Sequence, residues 1–368
     1  MKNNRTFLDK LLDGAEVKWK PLSLVTEMQR GKTITAKSAN EGSIPVISGG
    51  QKPAYYHNES NRDGKTITVA GSGAYAGYIM YWEEPIFVSD AFSIKTDESL
   101  LQIKYVYHFL LQNQQKIYAM KKGSGVPHVY PKDIGVLLIP IPSPTVQTEI
   151  VRILDALTAL TSELTSELIL RQKQYEYYRE KLLSFDSLER LNEGGAKKKL
   201  IDVCINIFSG KNKERNDNGL YPIYGSTGII GKTNNKEFSN EQILVARVGA
   251  NAGYVHIAKG EYDVSDNTLI VQNNEQVHTK FLYHILVNMK LNQYAKGAGQ
   301  PLITAGQLKS MEIFIPLLEE QHRIVSILDK FETLTNSITE GLPLAIEQSQ
   351  KRYEYYRELL LSFPKLDN

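Results

Sequence analysis

Cysteine and long apolar runs are almost missing from this chain. Cys204 is the only cysteine among 368 residues, which excludes a disulfide framework and a cysteine-rich metal site. No apolar stretch approaches the ~18 residues that a membrane span needs, and the short, charged stretch around residues 7–12 does not suit a signal peptide. We therefore expect a soluble, cytoplasmic protein without a membrane segment.

Motifs of the common enzyme classes are also missing. The sequence has no phosphate-binding G-x-x-x-x-G-K-[ST] loop, no histidine pair at metal-ligand spacing and no Asn-Pro-Pro-aromatic signature of adenine methyltransferases. Gly71–Gly77 has the spacing G-x-G-x-x-x-G, and its repeat has Arg247 at the first position, so we interpret it as a tight turn between strands. We expect a non-catalytic chain that binds no metal and no cofactor of its own.

What the sequence does contain is an internal repeat. Residues 175–185 and 353–363 are identical at ten of eleven positions, and Ile150–Asp155 matches Ile324–Asp329. Identity of this kind marks a duplicated unit. The separation of the copies grows from 174 to 178 residues between the two blocks, so the second copy carries four extra residues. These lie around Gly341–Pro343, where we expect a kink because proline interrupts a helix.

Both copies are predicted to be long amphipathic helices. Apolar side chains recur at spacings of three and four for about five heptads, which is typical of a coiled coil. About 40 helical residues would form a rod ~60 Å long. The residues that we assign to helix pairing and partner docking are Ile150, Leu157, Leu164, Tyr175, Tyr178 and Arg179 in the first copy and Ile324, Phe331, Leu334, Tyr353, Tyr356 and Arg357 in the second.

The segments between the helices repeat more faintly. Ile67–Tyr78 aligns with Ile243–Tyr254, and His108 and His284 occupy matched helical positions that favour a structural hydrogen bond. Short β-rich runs bounded by glycine, asparagine and proline, with one helical stretch in each segment, predict an α+β fold. The helical stretches are Ile103–Lys121 and Phe281–Tyr294. The predicted order is an α+β domain (1–143), a helix (144–193), a second α+β domain (194–316) and a second helix (317–368), with the two termini close together.

Charge alternates along this repeat. Residues 1–143 carry 17 basic and 13 acidic side chains, and residues 194–316 carry 14 and 10, so each domain has a balance of +4. Each helical segment carries 6 basic and 9 acidic side chains, a balance of −3. Basic globular domains favour a polyanionic partner such as a nucleic acid.

Loops that differ between the two domains are the candidates for binding. Arginine, lysine, asparagine and glutamine read base edges, and lysine beside a Gly-x-Gly turn suits a phosphate contact. The candidates in the first domain are Lys52, Tyr55, Tyr56, Arg62, Ser72, Tyr75, Lys121, Lys122, Ser124 and His128. Those in the second domain are Lys211, Lys213, Arg215, Lys232, Arg247, Asn251, Lys296 and Gln300. Two similar scaffolds with different polar loops indicate two similar ligands that differ in detail.

These features resemble the specificity subunit of type I restriction–modification enzymes. The residues that carry the resemblance are the two Tyr-Glu-Tyr-Tyr-Arg-Glu blocks, the helix starts at Gln147–Asp155 and Gln321–Asp329, and the opening residues 11–22. The resemblance implies that each domain is a target recognition domain for one half of a split site in double-stranded DNA. It also implies that the helices pair as an antiparallel coiled coil, hold the domains apart and dock two modification subunits. S-adenosylmethionine, ATP and Mg would then be bound by the modification and restriction subunits.

Two alternatives stay open at this point. Thr161–Leu164 is repeated at once as Thr165–Leu168. The resemblance implies that this repeat tunes the spacer between half-sites, whereas the other interpretation is ordinary solvated heptad sequence.

The whole chain could also be a duplicated coiled-coil scaffold that binds a ligand other than DNA. Steep weakening of binding by salt would indicate DNA.

Overall fold

The computed structural model describes residues 7–191, 194–216, 218–297 and 299–364. The chain divides into two compact units. The first unit is Met1–Leu164 with Ile346–Asn368, and the second unit is Thr165–Ala345. Each unit therefore contains one globular domain and a part of each helical segment.

The first unit is built from short strands and helices. Its strands are β1 (Lys18–Pro21), β2 (Thr26–Arg30), β3 (Ile44–Ile47), β4 (Tyr55–His57), β5 (Thr66–Ala70), β6 (Ile79–Trp82), β7 (Phe87–Val88), β8 (Ala91–Thr96) and β9 (Leu138–Ile141). Its helices are α1 (Phe7–Leu12), α2 (Ile103–Gln112), α3 (Gln114–Ala119) and α4 (Pro131–Gly135). The strands form a four-stranded sheet in the order β2-β8-β5-β6, a three-stranded sheet in the order β4-β3-β7, and the antiparallel pair β1-β9. β5 is buried along its whole length, as expected for the centre of a domain.

One long helix follows these elements. α5 (Pro144–Leu183) is a single helix of 40 residues, and α6 (Phe185–Leu191) comes after it. Pro144 is the first residue of α5, where the missing N–H of proline costs nothing.

The second unit repeats the plan of the first. Its strands are β10 (Ala196–Lys199), β11 (Cys204–Ser209), β12 (Tyr221–Gly225), β13 (Gly228–Thr233), β14 (Gln242–Ala246), β15 (Val255–Ala258), β16 (Asp263–Val264), β17 (Thr268–Asn273) and β18 (Glu312–Ile315). Its sheets have the orders β11-β17-β14-β15 and β13-β12-β16, and β10 pairs with β18. Its helices are α7 (Thr279–Asn288), α8 (Ala305–Ser310) and α9 (Leu318–Asn336). The duplication predicted from the sequence therefore extends to strand order.

The second helical segment is broken. α9 ends at Asn336, and α10 (Leu342–Leu361) begins only beyond Gly341. Gly341 has a φ of +83°, and a Cβ at this position would lie 2.6 Å from the carbonyl oxygen of Thr333. The break lies where the sequence predicts a kink, but the second segment is two helices of 19 and 20 residues rather than one rod.

The helical stretches predicted inside the domains are shorter than expected. Ile103–Lys121 divides into α2 and α3 at Asn113, whose side-chain amide donates to the carbonyl of Phe109 at 2.9 Å. The predicted stretch Phe281–Tyr294 ends as α-helix at Asn288, because Lys290 takes a left-handed φ of 49°. Neither stretch contains a proline, which is why periodicity alone misses both breaks.

Each unit closes its core with helices from both segments. In the first unit, Ile150 and Leu154 of α5 and Leu360 and Leu361 of α10 are buried against the sheet of the domain, in one cluster with Leu8 of α1. In the second unit, Tyr175 and Leu183 of α5 are buried with Ile324 and Leu328 of α9. Ile150 and Ile324, predicted to face a helical partner, are thus part of the domain cores. The first and last described helices, α1 and α10, share this core, and the indole N–H of Trp19 donates to Pro364 O at 3.4 Å. The termini, predicted to lie close together, are outside the described residues.

In the first unit, α5 and α10 run antiparallel. The hydroxyl groups of Thr161 and Ser349 lie 2.8 Å apart, while Leu154, earlier in α5, shares the core with Leu360, later in α10. Coiled-coil packing itself stays a prediction. None of the described helices has the length and apolar character needed to cross a membrane.

Candidate nucleic-acid interface

Two loops come together at one edge of the first unit. The glycine turn after β5 meets the Lys-Gly-Ser-Gly-Val-Pro loop that precedes α4: Gly73 N–H donates to Pro127 O at 2.9 Å, and Val129 N–H donates to Gly71 O at 3.0 Å. Lys122 and His128 exchange backbone hydrogen bonds of 2.9 and 2.8 Å across the loop. Such a loop pair presents several side chains from distant parts of the sequence on one surface.

The second unit has the same pair of loops. Gly249 N–H donates to Pro301 O at 3.0 Å, and Ile303 N–H donates to Arg247 O at 2.9 Å. Lys296 and Leu302 exchange backbone hydrogen bonds of 3.0 and 2.8 Å. Gly73 and Gly249 both have a positive φ, of 83° and 87°, which favours glycine at this point of the turn.

The loop pairs collect about half of the predicted binding residues. The first pair carries Ser72, Tyr75, Lys121, Lys122, Ser124 and His128, and the second carries Arg247, Asn251, Lys296 and Gln300. Lys122 Nζ lies 2.6 Å from Asp133 Oδ1, whereas the counterpart of Asp133 in the second unit is the neutral Gln307. Lys121 Nζ bonds to Ala74 O at 2.9 Å and lies over the Tyr118 ring. The lysines of the first pair thus have partners within the protein.

The remaining candidates of the first unit lie on and beside the β4-β3-β7 sheet. Lys52 and Tyr56 are exposed, while the Tyr55 hydroxyl donates to Ile34 O at 2.7 Å. Arg62 is held by the protein: its guanidinium donates to Ser93 Oγ at 2.7 Å and to backbone carbonyls of neighbouring segments. Burial lowers the pKa of Arg62. Its donors fix the loop that precedes β5.

The remaining candidates of the second unit lie on the loop after β11 and on β13. Lys213 Nζ is 3.9 Å from Asp266 Oδ2, and Asn216 N–H donates to Lys232 O at 2.8 Å. The side chain of Arg215 packs against Gly231. Arg215 and Lys232 are therefore brought together on an exposed surface, and Lys211 is exposed nearby in the same loop.

Two members of an aromatic and basic cluster in the first unit, Arg30 and Tyr130, are not among the residues predicted from the sequence; the third, His128, is. Arg30 ends β2, and its guanidinium carbon lies 5.4 Å from the centre of the Tyr130 ring. The His128 ring is parallel to Tyr130, with centres 6.0 Å apart and planes at 9°. These three side chains line a cavity of about 160 Å³ together with Asp90. Arg30 and Tyr130 are far apart in sequence, and neither belongs to a local motif. The signal that could have found them is that both differ from their repeat counterparts, Ser209 and Thr304.

A buried glutamine fixes each domain on its helix. Gln147 is fully buried; its Oε1 accepts from Gln102 N–H at 2.8 Å, and its Nε2 donates to Pro142 O at 2.9 Å and Leu100 O at 3.0 Å. Gln321 is bonded in the same way to backbone atoms of the second unit. A side chain with both donors and an acceptor is required at this position, because an unpaired buried polar group is costly.

A histidine and an aspartate make a second junction in the first unit. His108 is buried; its Nε2 lies 2.8 Å from Asp155 Oδ1, and its Nδ1 lies 3.0 Å from the Tyr353 hydroxyl. Lys104 Nζ is 2.9 Å from Asp155 Oδ2. Burial acts to raise the pKa of Asp155, but hydrogen bonds from His108 and Lys104 outweigh it, so this pKa is lowered. The structural hydrogen bond predicted for His108 is confirmed.

The junction of the second unit is less complete. His284 Nε2 lies 3.3 Å from Asp329 Oδ1, and Lys280 binds the other oxygen, but His284 Nδ1 has no hydrogen-bond partner among the described residues. Glu332 stands where the first unit has Thr158, and its pKa is raised by burial and by Asp329. Donor atoms of His284, Asp329 and Glu332 lie within 4.8 Å of one another. Because the Lys280 ammonium already neutralises Asp329, we interpret this group as an ion-pair network.

The helices of the first unit also form an apolar groove. Its volume is about 700 Å³, and Phe7, Leu157, Tyr355 and Tyr356 contribute to its lining. Tyr355 is 61% exposed. In the second unit Phe331 stands where Leu157 stands in the first, and its ring stacks on Tyr178 with centres 5.6 Å apart. The remaining residues assigned to helix pairing are half-buried along the same helices: Leu164, Leu334, Arg179 and Arg357.

Comparison with known proteins agrees with this geometry. The family model described as "Type I restriction modification DNA specificity domain" matches residues 16–171 and 192–348, and the chain belongs to this family. A Haemophilus influenzae chain that carries the name of a type I restriction enzyme specificity subunit is 41% identical over 394 residues, covering 99% of this chain and all of the relative. The EcoR124I/EcoR124II specificity subunit of Escherichia coli is 31% identical, covering 98% of each chain.

A solved structure shows the same fold. The S subunit of a type I restriction–modification system from M. genitalium superposes with a TM-score of 0.64 at 18% identity, covering 96% of this chain and 98% of that one. The family and the α+β fold predicted from the sequence are thus confirmed.

Proposed function

We propose that this chain is the DNA-recognition subunit of a type I restriction–modification complex, and that each unit reads one half of a bipartite site. The paired loops carry the proposal. Their backbone hydrogen bonds are the same in both units, yet Ser72 and Tyr75 in one unit are replaced by Val248 and Asn251 in the other. A constant frame with variable side chains is what two related but different base sequences require.

The charge distribution supports the same proposal. Each globular domain has a balance of +4, and each helical segment one of −3. Exposed Lys211, Arg215 and Lys232 in the second unit supply positive charge on the surface, where phosphates could be bound. Acidic helices would in turn be kept off the DNA backbone.

The helices are the proposed docking surface for two modification subunits. Exposed aromatic side chains along the groove of the first unit, Tyr355 and Tyr356 among them, are typical of protein interfaces. In this proposal the chain is not itself catalytic. S-adenosylmethionine would be bound by the modification subunits, and ATP and Mg by the restriction subunits.

The test is to express the chain with its neighbouring modification subunit and to sequence the DNA for methylated adenine. We expect a split motif of two short specific halves around an unspecified spacer. Replacing residues 1–143 by the corresponding domain of another family member should change one half only. Unmodified DNA, together with a stable complex of the two proteins, would mean that the chain is a scaffold and not a DNA reader.

A further inference from the structure

The cavity beside the loop pair of the first unit contains an arginine with unused donors. The Arg30 guanidinium makes no hydrogen bond and no ion pair within the part of the chain that the structure describes, and its side chain is exposed. Arg62, by contrast, donates to a hydroxyl and to several carbonyl oxygens of the protein. Arg30 is positioned by a ring contact alone, so its N–H groups are available to a ligand.

The fold does not require this cluster, as the second unit shows. Arg30 pairs with Phe92 across the sheet, and the residue at the same position of the second sheet is Ser209, paired with Leu269. Tyr130 precedes α4 as its N-cap, and the N-cap of α8 is Thr304. The counterpart of His128 is Leu302, which has the same backbone bonds. At these three positions the second unit therefore has neither a cation nor an aromatic ring.

The chemistry of the cavity favours a base edge over a phosphate. An arginine stacked on a tyrosine presents two parallel N–H donors, the pattern that matches O6 and N7 of guanine in the major groove. Asp90 lines the same cavity, with one carboxylate oxygen bonded to the Ser72 hydroxyl. A carboxylate repels a phosphate, but it accepts a hydrogen bond from the N4 amino group of cytosine.

We propose that Arg30, held in place by Tyr130, reads the guanine of a G·C pair in the half-site recognised by the first unit. The proposal rests on the DNA-recognition function proposed above and adds a base and a residue to it. Tyr130 is a positioning residue: it acts through the orientation of Arg30. Asp90, which lines the same cavity, would accept from the N4 amino group of the paired cytosine.

Methylation sequencing of Arg30→Ala and Arg30→Lys, each co-expressed with the modification subunit, tests the proposal. In Arg30→Ala we expect the preference for guanine at one position of the first half-site to fall by about ten- to a hundredfold, with the second half-site unchanged. Arg30→Lys should retain a weaker preference, because lysine lacks the two-pronged donor. The matched control is Ser209→Ala in the second unit, which should alter neither half-site.

Two further variants test the ring contact. Tyr130→Phe keeps the stacking surface and should keep the guanine preference, whereas Tyr130→Thr, which copies the second unit, should lose it. Co-purification with the modification subunit checks that each variant is folded. The proposal is overturned if Arg30→Ala weakens methylation equally at all sequences and lowers the salt dependence of binding, since that result marks a phosphate contact. The wild-type split motif would still stand in that case, so this failure is distinct from failure of the proposed function.

Discussion

Gln147 of the first unit and Gln321 of the second make the same hydrogen bonds, whereas Tyr130 and its counterpart Thr304 share only a position in the fold. The two units thus reach the same fold with partly different side chains. A residue whose contacts recur in both units serves the frame. A residue that occurs in one unit only, and lies at the surface rather than in the core, is available to bind the ligand of that unit.

The same comparison shows that the two histidine–aspartate junctions, His108–Asp155 and His284–Asp329, are not equivalent. His108 has a partner on both ring nitrogens, while His284 has a longer bond to its aspartate and an unpaired Nδ1 among the described residues. Glu332 adds a carboxylate beside Asp329 that the first unit lacks. We infer that the first domain is fastened to its helices more firmly than the second, so matched mutations in the two units should have unequal effects.

Deleting Thr165–Leu168, the second copy of the tandem repeat in α5, should have the greatest effect. Removing four residues shortens the helix by ~6 Å and rotates the remainder of the helix by about 40°. We expect both half-sites to keep their bases, while the unspecified spacer changes by roughly one or two base pairs, since each base pair of B-DNA rises ~3.4 Å. Methylation sequencing reads both properties at once. An unchanged spacer would show that α5 does not set the distance.

A smaller effect is expected from mutations at the two junctions. His108→Ala leaves Asp155 and the Tyr353 hydroxyl without their shared partner, and we expect a loss of about 2–3 kcal/mol in the stability of the first unit. His284→Ala breaks fewer bonds and should cost the second unit about 1 kcal/mol less. Hydrogen exchange of β5 and β14, the buried central strands, reports each unit separately. Equal losses would remove the contrast between the junctions.

Acid should destabilise the second unit through His256. Burial lowers the pKa of His256 to about 4, and neither ring nitrogen has a partner among the described residues. The folded pKa lies below the unfolded value of ~6.5, so the stability linked to His256 is complete above that value and is lost as the pH falls toward the folded pKa. At pH 5 the loss should be about 2 kcal/mol.

The control for this prediction is His256→Met, since Met80 occupies the same place opposite β5 in the first unit. The variant should lose the acid sensitivity of β14 exchange between about pH 7 and pH 5. If wild type and variant respond alike, another group carries the effect.

Glu332 should give the weakest effect of the four. Its pKa is raised in the folded state, so the stability linked to it is complete below the unfolded pKa and is lost as the pH rises through the folded pKa. Glu332→Thr copies Thr158 of the first unit and should stabilise the second unit at pH 7 by less than about 1 kcal/mol. Near pH 4 the gain should vanish, because the wild-type carboxyl is then protonated. Thermal unfolding at the two pH values measures this difference.

Much of the fold could be predicted because the internal repeat is visible in the amino-acid sequence. Identity between residues 175–185 and 353–363 marks the duplication, and the helical start at Pro144 agrees with the preference of proline for the first turn. The breaks at Asn113 and Lys290 could not be predicted, since they depend on capping and a single left-handed residue. Arg30 and Tyr130 meet only because the register of β2 on β8 and the loop before α4 bring them together. A pattern read along the chain does not contain that register.

Because α10 completes the core of the first unit, we expect the usual order of folding during synthesis to be reversed. A ribosome delivers the first globular domain early, but Leu360, Leu361 and Phe363 complete its core. The second unit, Thr165–Ala345, is whole before these residues emerge. Domains commonly fold in the order in which they are translated. Here we expect the N-terminal domain to keep part of its apolar surface uncovered until α10 has been made. A truncation before Ile346 should therefore yield a chain whose second unit is complete and whose first unit lacks part of its core.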